Sequence, residues 1–259
     1  MCSMNLVEFE KDSPIGWLTL NRPKKRNALS LALMQEMQQK LELIAEDKEI
    51  KVVVIQGNGP CFCAGHDLKE LLGEYDESYY HKIFSTCADM MQRISTVPQP
   101  VIAMVQGVAT AAGCQLVASC DLAIAEEQAV FATPGVKIGL FCCTPMVPLS
   151  RVIGPRQALD MLLTGRDVSA NEAKDFGLIN KIVSFDQLIE KTKKWALEIA
   201  EFSSFTVQFG KKSFYDQIDL DRKDAYEYTV SAIVKNCMHE DAQEGISALL
   251  EKRDPKWKT

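Results

Sequence analysis

The stretch GVATAAGCQLVASCDLA, residues 107–123, follows the apolar run VIAMVQ, residues 101–106. A strand ending near Gly107, a compact turn and a helix starting near Ala111 make a strand-to-helix junction. The first N–H groups of such a helix have no acceptor inside it. Ala111, Ala112 and Gly113 carry little or no side chain, so a ligand can come close to those amides. An anion or oxyanion site is one reading, and tight helix–sheet packing is the other. Gln115 is the puzzle, a polar amide in an apolar segment with no charge beside it.

Outward from this junction, strands and helices alternate. IGWLTLN (15–21) and KVVVIQG (51–57) read as strands, and the second carries four successive β-branched residues. LAIA (122–125) and AVFAT (129–133) read the same way. Ser30 caps a helix expected through Glu46, with Met34, Met37, Leu41 and Ile44 on one face. A further helix is expected near 79–95. Residues 169–176 begin with Ser169 and Glu172 at capping-box spacing and stop at Gly177. Beyond about 185 nearly everything is helical, with Gly245 as an interruption. The pattern predicts an α/β core over 1–197 and a helical C-terminal region over 198–259.

Composition narrows the function. The 259 residues are 47% hydrophobic and 25% charged, with net charge −6, which argues against nucleic acid or an anionic membrane as partner. Nine scattered cysteines suit free thiols in a reducing compartment better than a disulfide framework. No secretory signal is read at the start. The longest apolar window, 101–125, is broken by Gln106, Gly107, Gln115 and Asp121, so no membrane span is expected.

Other candidate sites are weaker. Gly57, Gly59 and Gly65 fail the G-x-G-x-x-G dinucleotide pattern, because Phe62 occupies its third glycine position. Cys61, Cys63 and His66 lack the second ligand pair that a structural zinc needs. Cys142 and Cys143 could supply a nucleophile only with a base or cation beside them, and packing in a turn is the plainer reading. Lys24, Lys25 and Arg26 could bind phosphate or merely be solvated.

CAGHDLKEL (63–71), the opening stretch, FATPGVKIGL (131–140) and TGRDVSANEAKDFGLINKIV (164–183) together resemble the crotonase family, the enoyl-CoA hydratases and isomerases. NRPKKRNAL near the start and EGISALLEKRDP (244–255) near the end match as well. The resemblance implies a spiral of ββα units, a helical C-terminal region that trimerises, and a homotrimer or a dimer of trimers. It implies an acyl-CoA thioester as ligand, with coenzyme A entering as part of the substrate and neither cofactor nor metal. The thioester oxygen would sit between the backbone N–H groups of His66 and Ala112, in a site shared with Ala64, Gly65, Leu68 and Gly113. Lys24, Lys25 and Arg26 would face the CoA phosphates, and Asp67 would shape the loop. A bacterial chain of this kind would be cytoplasmic, and a eukaryotic one mitochondrial, its transit peptide lying outside this sequence.

The family's two catalytic glutamates would fall at Gln115 and Gly135. An amide can position water or substrate but cannot exchange a proton at neutral pH. Glycine offers nothing. Glu70, Glu74 or the substrate itself remains as a candidate proton carrier. The sequence therefore predicts an acyl-CoA-processing enzyme, lyase or isomerase, that stabilises a thioester enolate but lacks ordinary hydratase chemistry. A non-catalytic acyl-CoA-binding protein is the alternative, with a cysteine-dependent thioester hydrolase behind it.

Overall fold

The structure is a computed structural model and describes residues 5–258. Its elements are β1 (Val7–Asp12), β2 (Ile15–Leu20), α1 (Leu31–Glu46), β3 (Val52–Gly57), α2 (Leu68–Gly73) and α3 (Glu77–Thr96). Then come β4 (Val101–Val105), β5 (Val108–Thr110), α4 (Ala112–Ser119), β6 (Leu122–Glu126) and β7 (Val130–Ala132). They are followed by α5 (Met146–Val152), α6 (Pro155–Thr164), β8 (Val168–Ser169), α7 (Ala170–Phe176) and β9 (Lys181–Val183). Four helices close the chain: α8 (Leu188–Ala200), α9 (Ser204–Ile218), α10 (Arg222–Cys237) and α11 (Glu240–Glu251).

One sheet has the order β1-β2-β3-β4-β6-β9, and a smaller one has β5-β7-β8. From β2 onward the neighbours in the large sheet run parallel. Successive strands pass from the large sheet to the small one before a helix returns, which gives the spiral of ββα units that the resemblance implied. The strand β1, VEFEKD, pairs antiparallel with β2 and was not foreseen. Four of its six residues are charged, and only Val7 is fully buried, so no apolar run marks it.

Alternation along the strands divides the core. Leu18, Leu20, Val53, Ile55, Ala103 and Val105 face α1 and α3. Trp17, Val52, Val54, Ile102 and Met104 face α8 through Leu188, Ala196 and Ala200. A two-residue period sends neighbouring side chains to opposite faces, so strands buried on both sides need apolar residues throughout. The boundary expected at 197/198 falls inside α8, which belongs to this packing.

Ser30 accepts the Leu33 N–H at the start of α1, and Ser169 with Glu172 forms the capping box of α7. Gly245 does not interrupt its helix and lies within α11. The C-terminal helices are tied to the core by Lys211 of α9. Its ammonium donates to Asp121 at 2.7 Å and to the carbonyls of Ile94 and Gln99 at 3.1 and 3.0 Å. The Tyr215 hydroxyl donates to the same Asp121 at 2.9 Å. Breaking such a buried, multiply bonded pair costs several kcal/mol, on the order of 3–5. The anchor holds Phe214 and Ile218 over a cavity beside α4.

Candidate active site

The junction between β5 and α4 turns on Ala111, with φ 51° and ψ −119°. That region is sparsely populated for any residue with a Cβ and costs roughly 1–3 kcal/mol. The Ala111 N–H donates to Ala132 O at 2.8 Å, and its carbonyl accepts from Gln115 N–H at 3.0 Å, which hold the turn. Ala112 then opens α4 with an N–H that has no acceptor among the described residues. Gly113 follows because a Cβ there would lie 2.0 Å from Cys63 O. The helix start is pressed directly on the loop that carries His66.

That loop is fixed from the other side. Leu29 and His66 form a parallel bridge, in which Leu29 N–H donates to Gly65 O at 2.7 Å and Asp67 N–H to Leu29 O at 3.0 Å. A parallel bridge engages the residues on either side of His66, so the His66 N–H turns away from Leu29. It too has no acceptor among the described residues. Gly65, at φ +93°, sits between the two segments: a Cβ on it would lie 2.9 Å from Ala111 Cβ and 3.3 Å from Ala112 N. The loop and the helix start therefore meet at Gly65, with one uncommitted amide on each side.

The His66 imidazole packs edge-on against Phe84 at 5.1 Å, and its Nε2 is buried without a partner. Burial pushes its pKa down to about 4, so the ring is neutral at pH 7. Asp67 caps α2 by accepting Lys69 N–H and pairs with Arg22 at 2.8 Å. Burial alone would raise Asp67, but Arg22 and the Lys69 N–H outweigh it and hold the carboxyl below its usual range. Asp67 is committed to loop structure. So is Glu70, whose carboxylate accepts Leu31 N–H at 2.9 Å, and Leu68 is exposed at the start of α2. Lys24, Lys25 and Arg26 are exposed on a loop joined to the site by the Ala64 N–H, which donates to Arg26 O at 3.0 Å.

Gln115 lies on α4, three residues beyond Ala112, and is only 3% exposed. Its Oε1 has no hydrogen-bond partner among the described residues. It lines a cavity of about 650 Å³, walled by Met91 of α3, Val147 of α5, Leu178, and Phe214 and Ile218 of α9. Gly135 lies in the short 3₁₀ turn Pro134–Ile138. A Cβ there would meet Leu140 O at 2.6 Å and Cys142 Sγ at 2.9 Å, so the expected place of a second acid is closed.

The discarded candidates are placed elsewhere. Cys61 points its thiol at Val108 O, at 3.2 Å, and Cys63 is fully buried with its pKa pushed up to about 12 by burial. Cys142 is buried and its pKa is raised by that burial, against the favourable Gly135 N–H, while Cys143 is exposed. Three further features had not been foreseen: the Arg22–Asp67 pair, the backbone of Ala111, and the cavity wall. The wall comes from residues more than a hundred positions apart, and no local pattern marks it.

A ββα spiral with paired amides beside a mostly apolar cavity is the architecture of a crotonase-type protein. The enoyl-CoA hydratase/isomerase family model matches residues 10–259, and the chain belongs to that family. It is 46% identical to enoyl-CoA hydratase domain-containing protein 3, mitochondrial, of Rattus norvegicus over 252 residues, 97% of this chain and 84% of that one. The crystal structure of the human enoyl coenzyme A hydratase domain-containing protein 3 superposes with a TM-score of 0.94 at 46% identity, covering 97% and 100% of the two chains. An enoyl-CoA hydratase structure from Mycobacterium smegmatis superposes at 0.96 with 45% identity, covering 98% and 99%. The sequence motifs had pointed to this domain-containing protein 3 branch.

Proposed function

We propose that the chain is an acyl-CoA-processing enzyme that holds the thioester oxygen between the N–H groups of His66 and Ala112. The observation that carries this reading is the meeting of the two uncommitted amides across Gly65. Negative charge on that oxygen grows as a proton leaves the α carbon, and fixed amides stabilise it without reorganising. The acyl group extends past Gln115 into the cavity, and Lys24, Lys25 and Arg26 attract the CoA phosphates. Coenzyme A enters only as part of the substrate, and no metal takes part.

Ordinary hydration needs groups that give and take a proton near the β carbon, each contributing about 10²–10⁴ in rate. Gln115 and Gly135 supply neither. For the same reason a non-catalytic acyl-CoA-binding protein is the second reading. A cysteine-dependent hydrolase ranks last, because burial disfavours the Cys142 thiolate. Apolar side chains left exposed on α10 and α11, including Val230, Ile233, Val234, Leu249 and Leu250, support self-association as a trimer. By analogy with the relatives named mitochondrial, a eukaryotic chain would work in the mitochondrial matrix.

Calorimetry with butyryl-, octanoyl- and palmitoyl-CoA tests the reading. Binding of at least one, weakened by added salt, is expected. No binding at millimolar concentration overturns it. A turnover screen on the same panel then separates enzyme from binding protein.

A further inference from the structure

We infer that Arg22 strengthens and aims the His66 amide donor through two intervening peptides, an inference that rests on the oxyanion reading above. The Gly65–His66 peptide is planar and trans, so its carbonyl and its N–H point in opposite directions. Gly65 O accepts Leu29 N–H at 2.7 Å, which aims the His66 N–H away from Leu29. The Ala28–Leu29 peptide repeats the arrangement. Its N–H is the donor to Gly65 O, and its carbonyl, Ala28 O, accepts from Nη1 of Arg22 at 2.5 Å. One unbroken line of donors and acceptors therefore runs from the guanidinium through two peptides to the His66 N–H.

A carbonyl that accepts a hydrogen bond makes the N–H of its own peptide a better donor, and such chains polarise cooperatively, by roughly 10–30% per bond. This line begins at a permanent cation, since a guanidinium keeps its proton at any working pH. Asp67 holds that cation in place. Its carboxylate accepts from Nη2 at 2.8 Å, so Nη1, at the positive end of the pair, is left for Ala28 O. The Arg22 and Asp67 side chains are only 17% and 12% exposed, and shielding from water keeps the field strong along the line. The second donor is backed by a helix instead: Ala112 N–H shares its peptide with Ala111 O, which accepts the neutral Gln115 N–H at 3.0 Å. Arg22 is thus a positioning residue for one donor of the pair, acting without touching the thioester and moving no proton.

The test is the infrared carbonyl band of bound butyryl-CoA, labelled with carbon-13 at the thioester carbon, because donors on the oxygen move that band to lower frequency. Calorimetry alongside compares butyryl-CoA with S-butyl-CoA, a thioether in which a methylene replaces the carbonyl. The parent is set against Arg22→Lys, which keeps the charge but not the two-pronged fork, and against Arg22→Met combined with Asp67→Asn. The double variant leaves no unpaired carboxylate, and asparagine still caps α2, so it should fold, as circular dichroism checks. The parent should show the downward shift. Both variants should show a smaller one, with the preference for thioester over thioether lowered by about threefold or more and thioether binding kept. An undiminished shift in either folded variant overturns the inference. So does a folded variant that loses thioether and thioester alike, since Arg22 would then support the whole site rather than one donor. A parent that binds butyryl-CoA without any shift sinks the oxyanion reading beneath it, whereas a shifted parent with equally shifted variants sinks this inference alone.

Discussion

A Cβ placed on Gly65 would stand 3.3 Å from the amide nitrogen of Ala112 and 2.9 Å from Ala111 Cβ. No side chain fits between the loop and the helix start, so the two amides owe their proximity to this glycine. Its φ of +93° adds a second reason, since residues with a Cβ rarely adopt it.

Gly65→Ala should therefore push the His66 loop away from α4 and misalign one donor. Loss of a single donor of this kind lowers turnover by about 10²–10³. For a chain without turnover, the same displacement should weaken acyl-CoA binding, read by calorimetry, while circular dichroism stays near the parent's. Unchanged binding and activity would separate Gly65 from the site.

Installing the missing acids is not a simple reversal. Gln115→Glu keeps size and shape. Gly135→Glu places a Cβ against Leu140 O and Cys142 Sγ, although its backbone is not in the left-handed region. The nearer clash, with Leu140 O at 2.6 Å, is with backbone, which a rotamer change cannot relieve. Overpacking of this kind costs about 1–3 kcal/mol, so Gly135→Ala and Gly135→Glu should both lower the thermal midpoint. The double variant should gain little hydratase activity. Robust crotonyl-CoA hydration by it would show that the segment yields.

His66 gives a pH signature. Its folded pKa, about 4, lies below the ordinary value of 6.5. As pH falls below 6.5 the unfolded chain takes up a proton that the folded chain refuses. Stability is therefore full above pH 6.5, declines toward pH 4, and the loss levels off below that. The loss over that range is about 3 kcal/mol. Denaturant midpoints between pH 7.5 and 4 should fall less steeply in His66→Ala than in the parent. That variant keeps the backbone N–H, so any change in acyl-CoA affinity isolates the imidazole.

Much of this was legible in the sequence because the signals were local. The Ser30 and Ser169 caps, the β-branched run at 52–55 and the small residues at 111–113 each act within a few positions. The opening puzzle of Gln115 was visible as a departure from pattern, but not that its oxygen would be buried without a partner. The cavity beside it is built from Met91, Leu178 and Phe214, brought together by crossovers and by the Lys211–Asp121 anchor. The closure at Gly135 is likewise a matter of where Leu140 and Cys142 return. Nor could periodicity find β1, whose pairing with β2 depends on backbone rather than on an apolar face.

The proposed oxyanion donors, the N–H groups of His66 and Ala112, stand beside positions 115 and 135 that lack the acids of hydration. The decisive measurement follows the enoyl absorbance of crotonyl-CoA with the parent protein, at concentrations where calorimetry shows the thioester bound. Occupancy with hydration far below rates typical of enzymes is expected. Turnover at about 10 s⁻¹ or more would contradict it, and would mean that groups other than residues 115 and 135 carry the proton.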